Sequence, residues 1–285
     1  MKKQISIPGL TLLGGVTLLT GCSEAAILRE GDNVISVCAS ESPHARILNE
    51  AVRPLLAEKG YTLNVSVLDW TLQNDSVYKG DYDANYFQHR PYLEQYDSGS
   101  ANYVEDYTYT RVFPAALVHY EPLRVYEGKS SAADFESKKT TATYEICSDV
   151  SNEIRALDLL VANGVITGYE KDSDGNPINL PKNISLIDEN QLVAQKGDYD
   201  YAVLPCNTAL TGNLAADDRL PAEGGDVADL RANIIAANVQ YYKSNATYKT
   251  KIDALVEAVL DSSVSEYITK TWSGIISVDQ KSLLA

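Results

Sequence analysis

The sequence predicts an α/β fold of two lobes with a cleft between them. Three observations predict it. The apolar run Val34-Ile35-Ser36-Val37-Cys38-Ala39 is followed by an amphipathic stretch and then by the alternating segment Thr62 to Leu68, the strand–helix–strand order of a parallel sheet. The same order recurs at Thr141 to Cys147, Ser151 to Asn163 and Tyr199 to Leu204. The chain of 285 residues is also long for one small core.

The N-terminus reads as a processing signal. Lys2 and Lys3 precede a broken apolar run from Ile5 to Leu19, interrupted by Pro8, Gly9, Gly14 and Gly15 and too short to span a membrane comfortably. The run closes on Leu19-Thr20-Gly21-Cys22, which resembles a bacterial lipobox. Residues 1–21 are therefore expected to be removed, Cys22 to carry lipid, and 22–32 to form a polar tether.

Within the first unit, Ser42 is the expected helix cap, with Pro43 at the first helical position. Ile47, Leu48, Leu55 and Leu56 share one face, Pro54 predicts a kink, and Gly60 a stop. In the following strand Leu63, Val65 and Val67 share a side. In the second unit Ser151 is the expected cap, Ile154, Leu157, Leu160 and Val161 point inward, and Gly164 ends the helix. Lys171 to Pro181 reads as a surface loop. From Tyr242 onward the chain reads as helical, with Ile252, Leu255, Val256, Val259 and Leu260 as its buried stripe. The second lobe is expected as an insertion, so that 33–112 and 233–285 form one lobe and 113–232 the other, with the final helices returning to the first.

A net charge of −15 argues against a nucleic-acid partner and fits a soluble extracytoplasmic body. Beyond Cys22, three cysteines remain, Cys38, Cys147 and Cys206, an odd number with no Cys-x-x-Cys. They read as buried small hydrophobes, with a Cys147–Cys206 disulfide as the alternative.

The densest chemistry lies in Asp83-Ala84-Asn85-Tyr86-Phe87-Gln88-His89-Arg90-Pro91-Tyr92-Leu93. Aromatics beside amides and an imidazole suit a small polar molecule: rings at Tyr86, Phe87 or Tyr92 stack on it, while Asn85, Gln88 and His89 supply hydrogen bonds.

Together with the lipobox, this run resembles the methionine-binding lipoproteins of the NlpA type, solute receptors of ABC importers. The likeness extends over Ser42-Pro43-His44-Ala45, Leu68-Asp69-Trp70, Asp149 to Leu157, Asn207 to Leu210 and Asn233-Ile234-Ile235-Ala236, essentially the whole chain. It implies a periplasmic-binding-protein-like fold and a lipid-anchored receptor on the extracytoplasmic side of a bacterial membrane. The implied ligand is a free amino acid, L-methionine or a close analogue. The implied partners are an ABC permease and its cytoplasmic ATPase, with a monomeric receptor, no cofactor and no catalysis. By position, Arg155 would grip the ligand carboxylate, a role suited to a guanidinium fork. Phe87 and Tyr92, with His89 beside them and Trp70 where tyrosine is usual, would form the aromatic box. Asn207 and Asn233 would hold the polar end, and Cys22 would be lipidated.

The chain departs from the family at Cys38 and Ile154, where glycine is usual, at Cys147, where proline is usual, and at Pro205-Cys206-Asn207, where Asn-Gly-Asn is usual. These changes predict a reshaped pocket, with every mature cysteine at a strand end facing the cleft. They leave open a receptor for another amino acid, a small peptide or a ligand held through a metal or thiol, the latter requiring Cys38, Cys147, Cys206, His44 and His89 to converge. Otherwise His44 is expected to be structural. An enzyme built on a Cys–His pair has no supporting motif, and an adhesive role leaves none to find.

Overall fold

The computed structural model describes residues 33–272 and 276–284. The signal segment, Cys22 and nearly all of the tether lie outside the described residues.

The strands form two main sheets. The larger has the order β12 (Ser277–Ser282), β4 (Val112–Tyr120), β11 (Ala232–Asn238), β3 (Ala84–His89), β1 (Val34–Ala39), β2 (Thr62–Val67). The smaller runs β5 (Leu123–Glu127), β10 (Tyr201–Pro205), β6 (Tyr144–Cys147), β9 (Ile184–Ile187). β1 pairs in parallel with β2 and β3, and β6 with β9 and β10, as strand–helix–strand units require. β11 runs antiparallel to both β3 and β4 and closes the larger sheet from the far end of the chain.

Each sheet has its own apolar core. Ile35, Val37, Leu48, Leu56 and Tyr86 pack with Ile252, Leu255 and Val259, so helix Ala246–Val259 covers the larger sheet. Tyr144, Ile146, Leu157, Leu160, Tyr201 and Val203 fill the smaller lobe. Leu260 packs only partly against the first core.

β4 continues in the larger sheet as far as Tyr120, and β5 opens the smaller sheet at Leu123. The chain thus changes sheets at Glu121-Pro122, past residue 112, where β4 only begins; it returns just before Ala232.

Several local expectations give way to neighbouring chemistry. Ser42 is extended, its peptide bond to Pro43 is cis, and it caps nothing; regular helix begins only at Arg53, with Pro54 in its first turn after the wider turn Leu48–Val52. Helix Val150–Ala162 is capped by Asp149, whose carboxylate accepts the Asn152 N–H at 2.9 Å and leaves Ser151 to donate its hydroxyl to the same group. Val161 is only partly buried there. Val67 is 56% exposed because β2 is the sheet edge. The loop after Gly168 contains a short hairpin, β7 (Glu170–Lys171) with β8 (Pro177–Ile178). The C-terminal region ends not in helix but in β12, antiparallel to β4.

Candidate functional site

The carboxyl ends of β1, β3 and β4 and the amino end of antiparallel β11 share one edge of the larger sheet. They face the carboxyl ends of β6, β9 and β10. Ligands of open α/β sheets collect at such edges. A cavity of about 70 Å³ lies there, lined by Ser40, Trp70, Phe87, Gln88, His89, Tyr92, Glu121, Asn152, Arg155, Glu189, Pro205, Asn207 and Asn233. An outer chamber of about 320 Å³ shares Ser40, Trp70, Glu189 and Asn207 with it and runs on past Asp69 and Thr208. All seven residues singled out in the sequence, Trp70, Phe87, His89, Tyr92, Arg155, Asn207 and Asn233, meet in the inner cavity.

Capping chemistry sets Trp70, His89 and Tyr92. Asp69 accepts the Thr71 N–H at 2.9 Å and starts helix Trp70–Lys79, fixing Trp70 at its first position. His89 ends β3 and caps helix Arg90–Ser98, its Nδ1 accepting the Tyr92 N–H at 3.3 Å. Nε2 is therefore the protonated nitrogen, and it donates to Asn152 Oδ1 at 3.1 Å across the cleft. Burial, with help from Arg231 and Arg155, holds the His89 imidazole well below its usual pKa and hence neutral. The rings of Trp70 and Phe87 lie 5.5 and 5.7 Å from that of Tyr92, both edge-on, a three-ring wall.

Helix Val150–Ala162 presents Asn152 and Arg155 one turn apart. The Arg155 side chain is 4% exposed. Its Nε and Nη2 donate to the two carboxylate oxygens of Glu223 at 2.6 and 2.5 Å, and Nη2 also donates to the Glu121 carbonyl at 2.5 Å. Two carboxylates face the same space. Burial raises Glu121 above its usual range, opposed by His44 and Arg155, and pushes Glu189 up to about 7. Trp70 Nε1 and Asn207 Oδ1 are buried with no hydrogen-bond partner among the described residues, a free donor and a free acceptor in the cavity wall.

Behind this wall sits a buried polar cluster. His119 Nε2 lies 2.9 Å from Glu121 Oε1, His44 Nε2 lies 3.0 Å from Asn233 Oδ1, and the Tyr86 hydroxyl bonds His119 Nδ1. Desolvation depresses His44 to about 4 and His119 to about 3, so both rings are neutral. His44, His119 and Glu121 offer metal-ligating atoms within 4.8 Å of one another. The bonds of His119 to Glu121 and of His44 to Asn233 support two residues that line the cavity, while His44 itself is not in the lining.

Tyr86 and Asn85, expected at the ligand, are buried elsewhere. Tyr86 packs on His44 and His119, and Asn85 joins Asn74 and Gln88 in an amide network. Of these three residues only Gln88, next to the carboxyl end of β3, lines the cavity.

The cysteines do not converge. Cys38 bonds the carbonyls of Gln73 and Ala84 within the larger lobe, Cys147 approaches Glu189, and Cys206 donates to the Pro122 carbonyl at 2.9 Å. All three are free, buried and absent from the cavity lining, so neither the disulfide nor a thiol–imidazole cluster forms. Ile154 is also off the lining, and of the unusual positions only Trp70 and Pro205 touch the cavity. Sequence reasoning missed Ser40, Glu121, Asn152 and Glu189. Asn152 was findable, since it precedes Arg155 by one helical turn. Glu121 was not, since it lies at a change of sheet that composition does not mark.

No helix among the described residues is long and apolar enough to cross a membrane. Comparison with known proteins places these features in context. The chain is 29% identical to the methionine-binding lipoprotein MetQ of Bacillus subtilis strain 168, covering 97% of this chain and 98% of that one. It is 26% identical to the D-methionine-binding lipoprotein MetQ of Yersinia pestis, over 85% of this chain and 92% of the other. Among solved structures, a nutrient binding protein from Burkholderia cenocepacia bound to methionine matches with a TM-score of 0.70 and 26% identity, covering 86% of this chain and 99% of that one. A Ruminococcus gnavus protein matches at 0.71 and 32%, covering 87% and 99%. These neighbours share the two-lobed α/β fold of substrate-binding lipoproteins, which are not enzymes. The family model described as NlpA lipoprotein matches residues 35–277, and this chain belongs to that family.

Proposed function

We propose that this chain is a lipid-anchored extracytoplasmic receptor that binds a free amino acid, L-methionine or a close analogue, and delivers it to an ABC importer. The observation that carries the reading is the meeting of Arg155, a three-ring wall and the amides of Asn207 and Asn233 in one cavity between the lobes. An α-amino acid needs a cation and a carboxylate close together. Arg155 Nη2 touches the Glu121 backbone, so Arg155 and the Glu121 carboxylate can meet the two charges of one zwitterion. Asn207 Oδ1 adds an unused acceptor for the ammonium. Trp70, Phe87 and Tyr92 then receive the side chain, and a thioether packs well against ring edges. The relatives named as methionine-binding, and the neighbour bound to methionine, favour that ligand.

The inner cavity is about 70 Å³, against roughly 150 Å³ for an engineered cavity that admits benzene. The lobes therefore have to part, or the lining shift, to admit a ligand. We take residues 33–120 with 232–284 as one moving lobe and 123–231 as the other. The anchor is assigned to Cys22, and the partners to a permease and its ATPase.

The test is calorimetric titration of the chain beginning after Cys22, refolded to strip carried-over ligand, with L-methionine first and the other amino acids after. Methionine binding at about micromolar affinity or tighter is expected. Binding of a different amino acid keeps the receptor and changes its ligand. No binding by any amino acid overturns the reading.

A further inference from the structure

Arg155 faces the cavity, but the group that holds it does not. Glu223 is absent from the lining and approaches the guanidinium from behind. Its side chain is 9% exposed, and its two oxygens collect four donors: Arg155 Nε at 2.6 Å, Arg155 Nη2 at 2.5 Å, the Leu123 N–H at 2.8 Å and the Tyr120 hydroxyl at 3.1 Å. The Glu223 N–H donates in turn to the Leu123 carbonyl at 2.9 Å.

The origins of these donors matter. Tyr120 is the last residue of β4 in the larger sheet, and Leu123 the first of β5 in the smaller one. Glu223 itself lies on the segment that returns to β11. One carboxylate therefore joins both passages of the chain between the lobes to the cation of the cavity. The fork is also used asymmetrically: its bonds to Glu223 and to the Glu121 carbonyl are made by Nε and Nη2, and none of them by Nη1.

We propose that Glu223 is a positioning residue, which fixes the Arg155 guanidinium so that its Nη1 meets the ligand carboxylate and which ties that contact to the interlobe crossing. This rests on the amino-acid receptor reading above. A hydrogen bond to a charged group is worth roughly tenfold to a hundredfold in a binding constant. Arg155 without Glu223 keeps its charge but loses its fixed direction.

Glu223→Gln tests this, because it preserves shape and one acceptor but cannot hold both Arg155 nitrogens as a charged pair. The probes are the amino acid that the wild-type chain binds and the carboxamide of that same amino acid, which lacks the anionic group. The expected result is a loss of about tenfold to a hundredfold for the amino acid, with the affinity of the carboxamide held within about twofold. Equal losses for both probes would mean a merely structural role, and unchanged affinity for the amino acid would mean no role; either overturns the proposal while leaving the receptor reading intact. If wild-type chain binds no amino acid, the receptor reading fails and the proposal falls with it. Should Glu223→Gln not fold, Glu223→Asp is titrated with the same pair, and the same selective loss is required.

Discussion

His89 Nε2 donates to Asn152 Oδ1 at 3.1 Å, and this bond spans the cleft from the end of β3 to the helix that carries Arg155. Depression of the His89 pKa keeps the ring neutral, so one proton on Nε2 serves the bond while Nδ1 caps its own helix. A bond across the cleft favours the arrangement in which its two sides are held together. Asn152→Ala is expected to weaken ligand binding by about 1 kcal/mol, the net worth of a neutral hydrogen bond. Small-angle scattering of the ligand-free variant should also report a more open particle. Unchanged affinity with an unchanged scattering curve would remove the latch role.

Arg155→Ala is expected to cost about 2–5 kcal/mol of ligand affinity, as when one partner of a buried charge pair is truncated. Glu223 is then left buried beside Tyr120 with its cation gone, so thermal stability falls as well. Titration and melting curves together separate the two effects. The binding assignment fails if affinity survives while the melting temperature drops.

How far the sequence led depended on what kind of signal each residue leaves. The run from Asp83 to Leu93 packs so much chemistry into one strand and helix start that it located the cavity without coordinates. Asn207, Asn233 and Arg155 needed the family resemblance, since isolated amides and arginines carry no periodicity. The cysteines misled because a strand end near a cleft still points its side chains to alternating faces, and Cys38 faces the core. β12 was invisible: its sequence SVDQKS has no apolar alternation, and it is held by pairing to β4 at the sheet edge. Glu121 and Glu223 were illegible for a deeper reason, since their roles come from where the chain changes lobes.

The pH dependence of stability has two opposed limbs. All three histidines sit below the usual 6.5, with His44 near 4 and His119 near 3. Their contribution is present above pH 6.5 and is lost as pH falls toward those values, because the unfolded chain takes up the protons. Glu145, Glu153 and Glu189 are raised instead, to about 8, 7 and 7, chiefly by burial. A raised carboxylate contributes stability that is present below 4.5 and lost as pH climbs through its folded value. Neither Glu145 oxygen has a hydrogen-bond partner among the described residues. Glu145→Gln should therefore raise the melting temperature by several degrees at about pH 8 and change it little near pH ~4. A uniform shift across that range would show that ionisation of Glu145 is not the cause.

Helix Ala246–Val259 is fastened by charge as well as by its apolar stripe. Lys251 Nζ lies 3.0 Å from Asp83 Oδ2, with the two side chains 2% and 0% exposed. Asp83 also accepts the Ser36 N–H at 2.8 Å, so helix Ala246–Val259 is tied to β1 and to the turn entering β3. Desolvation pulls the Asp83 pKa upward while Lys251 pulls it down. Removing the cation alone strands a carboxylate in the core. Lys251→Met should cost about 3–5 kcal/mol in urea unfolding, whereas the double change Asp83→Asn with Lys251→Met should recover much of that loss, because no uncompensated charge is then left buried. The coupling is what matters: if the double variant is no more stable than Lys251→Met, the loss comes from packing of the lysine stem against the sheet rather than from the stranded charge.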